Sequence, residues 1–164
     1  MRKLIIAIGN GAGNILDDWL SCQESDCNVK IYMDSDKESL KNHHCVNTIK
    51  LLFSTKEDIQ KLYFDKEVTV ILICCLGGKT GKEMFPEICK SLKNEGIPIK
   101  GVVTLPFLFE GQRRRSDATT IFEEIRMINT DVYVLDSENY PKDILFSELN
   151  KGASEILNNL IEGN

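Results

Sequence analysis

Short apolar runs rich in β-branched residues alternate along this chain with amphipathic segments, and this alternation constrains the fold more than any other feature. The runs cover residues 3–8, 29–33, 68–75, 99–104 and 132–135. Each is apolar along its length, which is typical of a strand covered on both faces. The amphipathic segments cover 14–21, 55–63, 82–94, 116–128 and 142–161. The pattern predicts an α/β fold of the Rossmann-like three-layer type, with a mostly parallel sheet.

The length and charge of the chain narrow its organisation and its partners. With 164 residues and no linker or repeat, we expect a single domain over 1–164. A net charge of -5 argues against non-specific nucleic-acid binding, which needs a cationic surface. The N-terminal apolar stretch is interrupted by glycines, and no segment approaches the roughly 18 apolar residues of a membrane span. We therefore expect a cytoplasmic protein.

The cysteines do not form a recognisable metal site. Cys22, Cys27 and the triplet 43–45 (His-His-Cys) contain zinc-binding residue types, but their spacing matches no standard zinc finger. Cys74 and Cys75 lie inside an apolar run, where thiols behave as small hydrophobic groups. The sequence therefore predicts reduced thiols and no metal site.

Two glycine-rich turns follow strand candidates. The first run leads into GNGAGN at 9–14, and the run 68–75 leads into LGGKTGK at 76–82. Glycines in such a turn let backbone N–H groups approach a phosphate at a helix N-terminus. Ile73 stands where a Walker A loop needs its first glycine, so the second turn is not a P-loop. A close-packed turn without ligand is the alternative for the first turn, but two turns at adjacent strand ends can hold phosphates from two sides.

Later segments resemble the FtsZ/tubulin family. GVVTLPFLFEGQRRRSDA at 101–118 resembles the FtsZ pattern GVVTxPFxFEGxxRxxxA. In register with it, GNGAGN resembles the first glycine-rich loop of the family, LGGKTGK its signature GGGTGTG, and MDSDKESL at 33–40 its NTDxxxL segment. The order and spacing hold from about residue 2 to 162. The resemblance implies the nucleotide-binding domain of an FtsZ/tubulin-like protein.

The resemblance also implies roles for individual residues in binding a guanine nucleotide. The first turn would surround phosphates and place Asn14 near the base, the second would form the main phosphate loop, and later residues would border the ribose. Glu110 would hold a ribose hydroxyl and Arg114 would reach towards the nucleotide, although a helix-capping role for Glu110 is the alternative. The implied nucleotide-binding set is Gly9, Asn10, Gly11, Gly13, Asn14, Asp36, Gly77, Gly78, Lys79, Thr80, Gly81, Thr104, Pro106, Glu110 and Arg114.

Several positions depart from the family pattern. Lys79 replaces the third glycine of the signature, and could contact a phosphate or fill its space. Between residues 40 and 68 the chain is shorter than the family, without a counterpart of the loop that contacts the terminal phosphate. Asn150 stands at the base-stacking Phe, Ser154 at the base-binding Asp, and Ser137 at an Asn. The acidic loop that activates water in the family would lie beyond Asn164, so we expect no catalytic residues here.

Three functions remain as hypotheses. The first is an FtsZ-like GTP- or GDP-binding protein, regulatory or accessory, at most a weak GTPase and without polymerisation of its own. Its ligand would be a guanine nucleotide, with Mg²⁺ accompanying a triphosphate, and its partner another FtsZ-like subunit or a division protein. The second is a degenerate FtsZ-like interaction module that no longer binds nucleotide. The third is an NAD-type dinucleotide-binding protein, which relies on Gly9, Gly11 and Gly13 and on Asp34, at the end of the second strand, to hold a ribose. It leaves the later motifs unexplained.

Overall fold

Six parallel strands form one sheet at the centre of the protein. The computed structural model describes residues 2–23, 28–45, 48–53, 55, 57–58, 67–129 and 131–163. Within these residues the strands are β1 (Arg2–Ile8), β2 (Val29–Asp34), β3 (Thr48–Leu52), β4 (Val68–Cys75), β5 (Ile99–Leu105) and β6 (Val132–Asp136). The strand order is β3-β2-β1-β4-β5-β6, and every neighbouring pair is parallel. The α/β fold class predicted from the sequence is thus confirmed.

Five described helices cover the sheet. They are α1 (Asn10–Ser21), α2 (Lys37–Lys41), α3 (Lys79–Asn94), α4 (Gln112–Ile128) and α5 (Phe146–Glu162). Short 3₁₀ turns at Leu108–Glu110 and Ser137–Asn139 follow β5 and β6. The sequence patterns predicted four of these helices but neither α2 nor strand β3. The helix predicted over 55–63 falls largely outside the described residues.

The side chains of the strands divide into two core layers with the two-residue period of a strand. On β1, Ile6 and Ile8 pack on one face with residues of α3 and α4, such as Phe85 and Phe122. The alternate residues Ile5 and Ala7 pack on the other face with α1 and α5. Helices therefore cover both faces, which gives the three-layer arrangement.

Helices α1 and α5 pack against each other as well as against the sheet. Trp19 of α1 is 3% exposed, and its indole Nε1 donates a hydrogen bond to Oδ1 of Asn158 on α5 at 3.4 Å. Leu149, Ala153, Leu157 and Leu160 form the buried stripe of α5. This stripe has the spacing of one helix face, which fixes which side of α5 meets the sheet.

The strand order has a switch point between β1 and β4. From β1 the chain first builds the sheet outward through β2 and β3, and then returns to the centre to continue through β4, β5 and β6. In open α/β sheets, ligands bind outside the carboxyl ends of the strands at this point. The two glycine-rich turns follow these two strands, so the topology places them side by side.

Candidate nucleotide-binding cleft

A cleft of about 700 Å³ opens at the carboxyl edge of the sheet. This volume lies in the range of small-molecule sites. The lining includes every residue of the predicted nucleotide-binding set except Gly13: Gly9, Asn10, Gly11, Asn14, Asp36, Gly77, Gly78, Lys79, Thr80, Gly81, Thr104, Pro106, Glu110 and Arg114. It also includes residues outside that set: Ile8, Asp34, Ser35, Ser39, Cys75, Leu105, Leu135, Ser137, Phe146, Leu149 and Asn150.

The turn after β1 starts α1 without a side-chain cap. Gly9 has φ 86°, a left-handed conformation that favours glycine, and its N–H donates to the carbonyl of Met33 at 2.7 Å. The carbonyl of Gly9 accepts the first helical bond, from the N–H of Gly13. No side chain caps the N-terminus and the first turn carries no acid. The first N–H groups of α1 therefore remain available for an anion.

The turn after β4 starts α3 in the same way. Gly78 is the N-cap residue, again with no side-chain cap and no acid in the first turn. A Cβ placed on Gly9 would lie 3.7 Å from Cβ of Thr80 and 3.8 Å from the backbone N of Gly81. The two turns are therefore adjacent, with room for a side-chain carbon at Gly9 between them. They bring two positive helix N-termini to one place.

Three of the glycines are required by packing. A Cβ on Gly13 would lie 2.2 Å from Nε2 of His43, a Cβ on Gly81 would lie 2.4 Å from Sγ of Cys74, and a Cβ on Gly11 would lie 2.9 Å from Sγ of Cys75. A Cβ on Gly78 would meet only the carbonyl of Cys75, at an ordinary 3.6 Å. The close-packed-turn interpretation therefore accounts for part of each glycine motif.

The neighbour of Gly13 belongs to a buried polar network. His43 is 2% exposed; its Nδ1 lies 2.6 Å from Asp17 Oδ2, and its ring stacks on Tyr32. The Tyr32 hydroxyl and the Cys45 thiol both donate to Asp17 Oδ1. Burial raises the pKa of Tyr32 and of Cys45. The network fixes α1 on β2 beside the cleft.

Lys79 occupies the first position of α3 and is exposed in the wall of the cleft. No hydrogen bond or ion pair to it is found among the described residues, whereas its neighbour in the helix, Lys82, lies 3.7 Å from Oδ2 of Asp117. The ammonium group thus stands beside the uncapped N-terminus of α3 without a counter-ion from that part of the chain.

Side-chain oxygens at the end of β2 face the second glycine-rich turn. Asp34 is 4% exposed, and its Oδ1 accepts from the Thr80 hydroxyl and from the N–H of Asp36, both at 3.0 Å. Ser35 Oγ lies 2.8 Å from Thr80 Oγ1. The carboxylate of Asp36 caps α2 by accepting from the N–H of Glu38, which lowers its pKa. These contacts join β2 to α3 across the cleft floor.

Glu110 and Arg114 lie in the part of the cleft wall that follows β5, and Arg114 connects this part to the second glycine-rich turn. Glu110 Oε2 accepts from the N–H of Phe107 at 2.8 Å, and its Oε1 lies 4.0 Å from Nη1 of Arg114. Arg114 Nε donates to the carbonyl of Gly77 at 2.5 Å. The capping alternative for Glu110 therefore describes one of its two oxygens, and the other faces Arg114.

Arg115 is a structural residue that the sequence patterns did not single out. It forms two parallel hydrogen bonds to Asp136, Nη1–Oδ1 at 2.5 Å and Nη2–Oδ2 at 2.6 Å, and also donates to the carbonyl of Pro106. The Arg115 guanidinium holds the pKa of Asp136 below its usual range. This pair ties α4 to the end of β6, next to the cleft. A run of three arginines gave no signal of which one would be paired.

Of the three positions that the family pattern relates to base binding, two line the cleft and one does not. Asn150 lines the cleft, and so does Ser137, whose hydroxyl donates to the carbonyl of Leu105 at 2.6 Å. Ser154 lies outside this cleft lining and donates to the carbonyl of Ile15 at 3.3 Å. Phe146, one helical turn before Asn150, was not predicted, because its position depends on where α5 begins.

The described residues contain neither a metal-binding cluster nor a helix suited to a membrane. In the described part of the chain, no three His, Cys, Asp or Glu side chains cluster as a metal-binding group, and Cys27 lies outside that part. No helix there combines the length and apolar character needed to cross a membrane.

Comparisons with known proteins show what the chain resembles. No protein-family model matches the chain. The cell division protein FtsZ of Rickettsia felis is 25% identical over an alignment of 182 residues, gaps included. The alignment covers 97% of this chain and 40% of that protein. The chain is thus similar in sequence to FtsZ over almost its whole length. It spans less than half of the length of this FtsZ relative.

Solved structures confirm the fold of this FtsZ-like chain. The FtsZ dimer of M. jannaschii matches with a TM-score of 0.73 at 19% identity, over 99% of this chain and 53% of that one. The GDP-bound monomer of CetZ1 from Haloferax volcanii matches with a TM-score of 0.76 at 18% identity, over 94% of this chain and 58% of that one. The FtsZ/tubulin type of α/β fold predicted from the sequence is therefore confirmed.

Proposed function

We propose that this chain binds a guanine nucleotide, GDP or GTP, in the cleft at the carboxyl edge of the sheet. The observation that carries the proposal is that two glycine-rich turns lie side by side in one cleft, each starting a helix whose N-terminus has no side-chain cap. Backbone N–H groups and helix dipoles converging in this way favour an anion such as a diphosphate. The sequence similarity to FtsZ and the GDP bound to the CetZ1 monomer support the choice of nucleotide.

The predicted residues take complementary roles in this proposal. Gly9–Gly11 and Gly77–Gly81, together with Lys79, hold the phosphates. Thr104, Pro106 and Glu110 border the ribose, with the oxygen of Glu110 that does not cap Phe107 accepting from a hydroxyl. Arg114 joins this wall to the phosphate turn through the carbonyl of Gly77. Asn14 lies near the base.

We further propose that hydrolysis is slow or absent. Three carboxylates line the described cleft, and each is held by the fold: Asp34 by Thr80, Asp36 by the N–H of Glu38, and Glu110 by the N–H of Phe107. These hydrogen bonds compete with the positioning of a water nucleophile, which hydrolysis requires. Oxygens of Asp34, Ser35 and Asp36 are of the type that Mg²⁺ prefers, so a cation accompanying a triphosphate would be held there.

The role that fits a nucleotide-binding chain with little turnover is regulatory or accessory. Its partner would be another FtsZ-like subunit or a division protein, and its site of action the cytoplasm. The relative from Rickettsia felis is named as a cell division protein, and the M. jannaschii FtsZ structure is a dimer. Both support a partner of the same family.

Packing also favours a second candidate, the degenerate interaction module. Gly11, Gly13 and Gly81 would be required in the absence of any ligand, because a Cβ on each would overlap a neighbouring side chain.

The contacts of Asp34 weaken the NAD-type alternative. One oxygen of that carboxylate is already bonded to Thr80 and Asp36, rather than being free for a ribose.

The decisive experiment is a thermal unfolding series with GDP, GTP and NAD. A nucleotide that binds only the folded chain, at a hundred-fold excess over its Kd, should raise Tm by about 5–10 °C. We expect this shift with GDP and GTP but not with NAD. Gly78→Leu should remove it, because this position tolerates a Cβ and lies in the cleft wall.

Thr120→Leu is the matched control, since it places the same side chain on an exposed position of α4 outside the cleft lining. It should keep the nucleotide shift. A folded wild-type protein whose Tm responds to no nucleotide would establish the degenerate module instead. A shift that survives Gly78→Leu would place the nucleotide elsewhere.

A further inference from the structure

Strand β6 forms an open edge of the sheet. It is the last strand in the sheet order, and within the described residues only β5 pairs with it. Tyr133 is 55% exposed and Val134 is 41% exposed, although successive strand residues point to opposite faces. The middle of β6 is therefore uncovered on both faces.

The sequence of β6 carries none of the usual protection of an edge strand. Free backbone groups at an edge can pair with another strand, and natural sheets commonly prevent this with a charged residue, a proline or a bulge. Residues 132–135 contain no charge and no proline. The opposite edge strand, β3, has the exposed Lys50 at its centre. Only the β6 edge is thus left apolar along its length.

The pairing with β5 fixes which backbone groups of β6 point outward. The carbonyl of Asp131 accepts from the N–H of Gly101, so the peptide groups of Asp131 point at β5. Peptide groups alternate in direction along a strand. Those of Val132, Val134 and Asp136 therefore point away from the sheet and offer a row of donors and acceptors.

This row is complementary to the same row of a second copy. In an antiparallel pair with a two-fold axis at Val134, that residue faces its own copy. Tyr133 then lies opposite Leu135 of the second copy, and such aromatic–aliphatic cross-strand pairs stabilise a sheet. Val132 lies opposite Asp136 of the second copy, whose charge is already paired with an arginine of its own copy. No like charges face each other in this register.

Helix α4 borders the open edge with a side that carries charges of both signs. Asp117 and Glu124 form ion pairs with lysines of α3, which fixes the side of α4 that faces α3. At about 100° per residue, Arg126 lies on the opposite side, with Glu123 one turn before it. Arg115, also on that side, binds the end of β6. The side chains of Glu123 and Arg126 are 63% and 59% exposed.

We propose that β6 and this side of α4 form the interface of a two-fold symmetric dimer of the chain. The symmetry places the two α4 helices antiparallel, so that Glu123 of each copy faces Arg126 of the other. Within one copy these two side chains form only an exposed pair at 3.9 Å, which costs little to exchange. The two sheets join through their β6 strands into one continuous sheet.

The proposed dimer goes beyond the nucleotide-binding function and does not depend on it. A two-fold contact uses the same surface on both copies and closes on itself, so it gives a dimer and no filament. One strand and one helix side per copy make a small interface. We therefore expect monomer and dimer in equilibrium, with the dimer favoured at high protein concentration.

Sedimentation equilibrium of the whole chain over a range of concentrations tests the strand contact. The average mass of the wild type should rise with concentration from that of a monomer towards that of a dimer. Val134→Lys should weaken association roughly ten-fold or more, because a lysine on an edge strand opposes pairing. Ile49→Lys is the matched control: it changes an exposed apolar residue on the other edge strand and should leave association unchanged.

A charge exchange tests the helix contact. Arg126→Glu should weaken the dimer, because it brings two carboxylates together at each of the two symmetric contacts. Combining it with Glu123→Arg restores opposite charges and should recover most of the association. Lys41→Glu is the matched control, since it breaks a similar exposed pair with Glu38 on α2, away from β6. Urea unfolding checks that each variant is folded.

The outcomes separate the dimer from nucleotide binding. A wild type that stays monomeric up to millimolar concentration overturns the inference, and so does association that Val134→Lys leaves intact. Equal association by Arg126→Glu and by the double variant would remove α4 from the interface and overturn the arrangement. Val134→Lys should keep the Tm shift with GDP. A wild type that dimerises but responds to no nucleotide would reject the proposed function alone.

Discussion

Gly13 and Gly78 belong to similar glycine-rich patterns, but their surroundings differ. Gly13 contacts the buried His43 ring and lies outside the cleft lining, whereas Gly78 has room for a Cβ and lines the cleft. At the scale of the residue, one sequence motif therefore contains two kinds of glycine. Some are required by packing, and others leave space for a ligand because they lack a side chain. Substitutions at Gly13, Gly11 or Gly81 would test the fold; substitution at Gly78 tests the ligand.

The effect of Lys79→Ala on GDP affinity shows whether this side chain contacts the phosphate or obstructs it. If its ammonium pairs with a phosphate, Lys79→Ala should weaken GDP binding about two- to five-fold at low ionic strength, as expected of an exposed ion pair. The difference should shrink in high salt. Isothermal titration at two salt concentrations measures it.

Lys93→Ala removes a charge elsewhere on α3, outside the cleft lining, and serves as the control. Tighter GDP binding by Lys79→Ala would mean that the side chain fills phosphate space, contrary to the proposed role.

Among the elements, α4 and β6 are joined by an ion pair that the sequence did not reveal. Arg115 and Asp136 are each largely covered, with side chains 17% and 24% exposed, and form a two-point contact next to the cleft. Such a pair is stronger and more directional than an ordinary surface ion pair. The link keeps the segment with Pro106 and Glu110 in place, because Arg115 also holds the carbonyl of Pro106.

Asp136→Asn should lower the free energy of unfolding by about 2 kcal/mol at neutral pH, the scale of hydrogen bonds to charged groups. Arg115 depresses the pKa of Asp136 in the folded state. Its stabilising contribution is therefore complete above the ordinary pKa of about 3.9 and is lost as the pH falls through the lower folded-state value.

Urea unfolding at pH 7 and near pH 3 measures this loss. The difference in free energy of unfolding between the wild type and Asp136→Asn should be smaller near pH 3 than at pH 7. Asp131→Asn, for which no side-chain ion pair is found in the described structure, should change little at either pH. An Asp136→Asn effect of the same size at both values would argue against the charged pair as its source.

At the scale of the whole molecule, one sheet edge collects segments that are far apart in the chain. The cleft is built from residues 8–14, 34–39, 75–81, 104–114, 135–137 and 146–150. A ligand there would contact both halves of the sheet and both helical layers. The cleft is therefore a property of the complete fold, and a bound nucleotide should stabilise the chain as a unit.

The proposed lack of turnover predicts that the purified 164-residue chain releases almost no phosphate from GTP and forms no filaments. The reason is that the carboxylates of Asp34, Asp36 and Glu110 each accept a hydrogen bond within the fold, which competes with the positioning of a water nucleophile. Phosphate release and light scattering at high protein concentration measure the two properties. Catalytic rates that rise with protein concentration, or cooperative scattering with GTP, would show that copies complete one another's sites.

The sequence predicted the fold better than the fine structure of the cleft. Buried central strands such as β1 and β4 have continuous apolar runs, whereas β3 lies at a sheet edge and its residues are partly exposed, so its pattern was weak. Helices α1 and α3 begin earlier than predicted, at Asn10 and Lys79, because glycine-rich first turns resemble loops. Phe146 and the Arg115–Asp136 pair depend on tertiary placement, which local patterns do not encode.

The burial of Trp19 between α1 and α5 has a practical consequence. It is the single tryptophan of the chain and lies outside the cleft lining, with its indole held by Asn158. Its emission should therefore stay almost constant when a ligand enters and shift to longer wavelength when the C-terminal helix undocks. The native chain thus carries an intrinsic optical probe that separates occupancy from loss of structure.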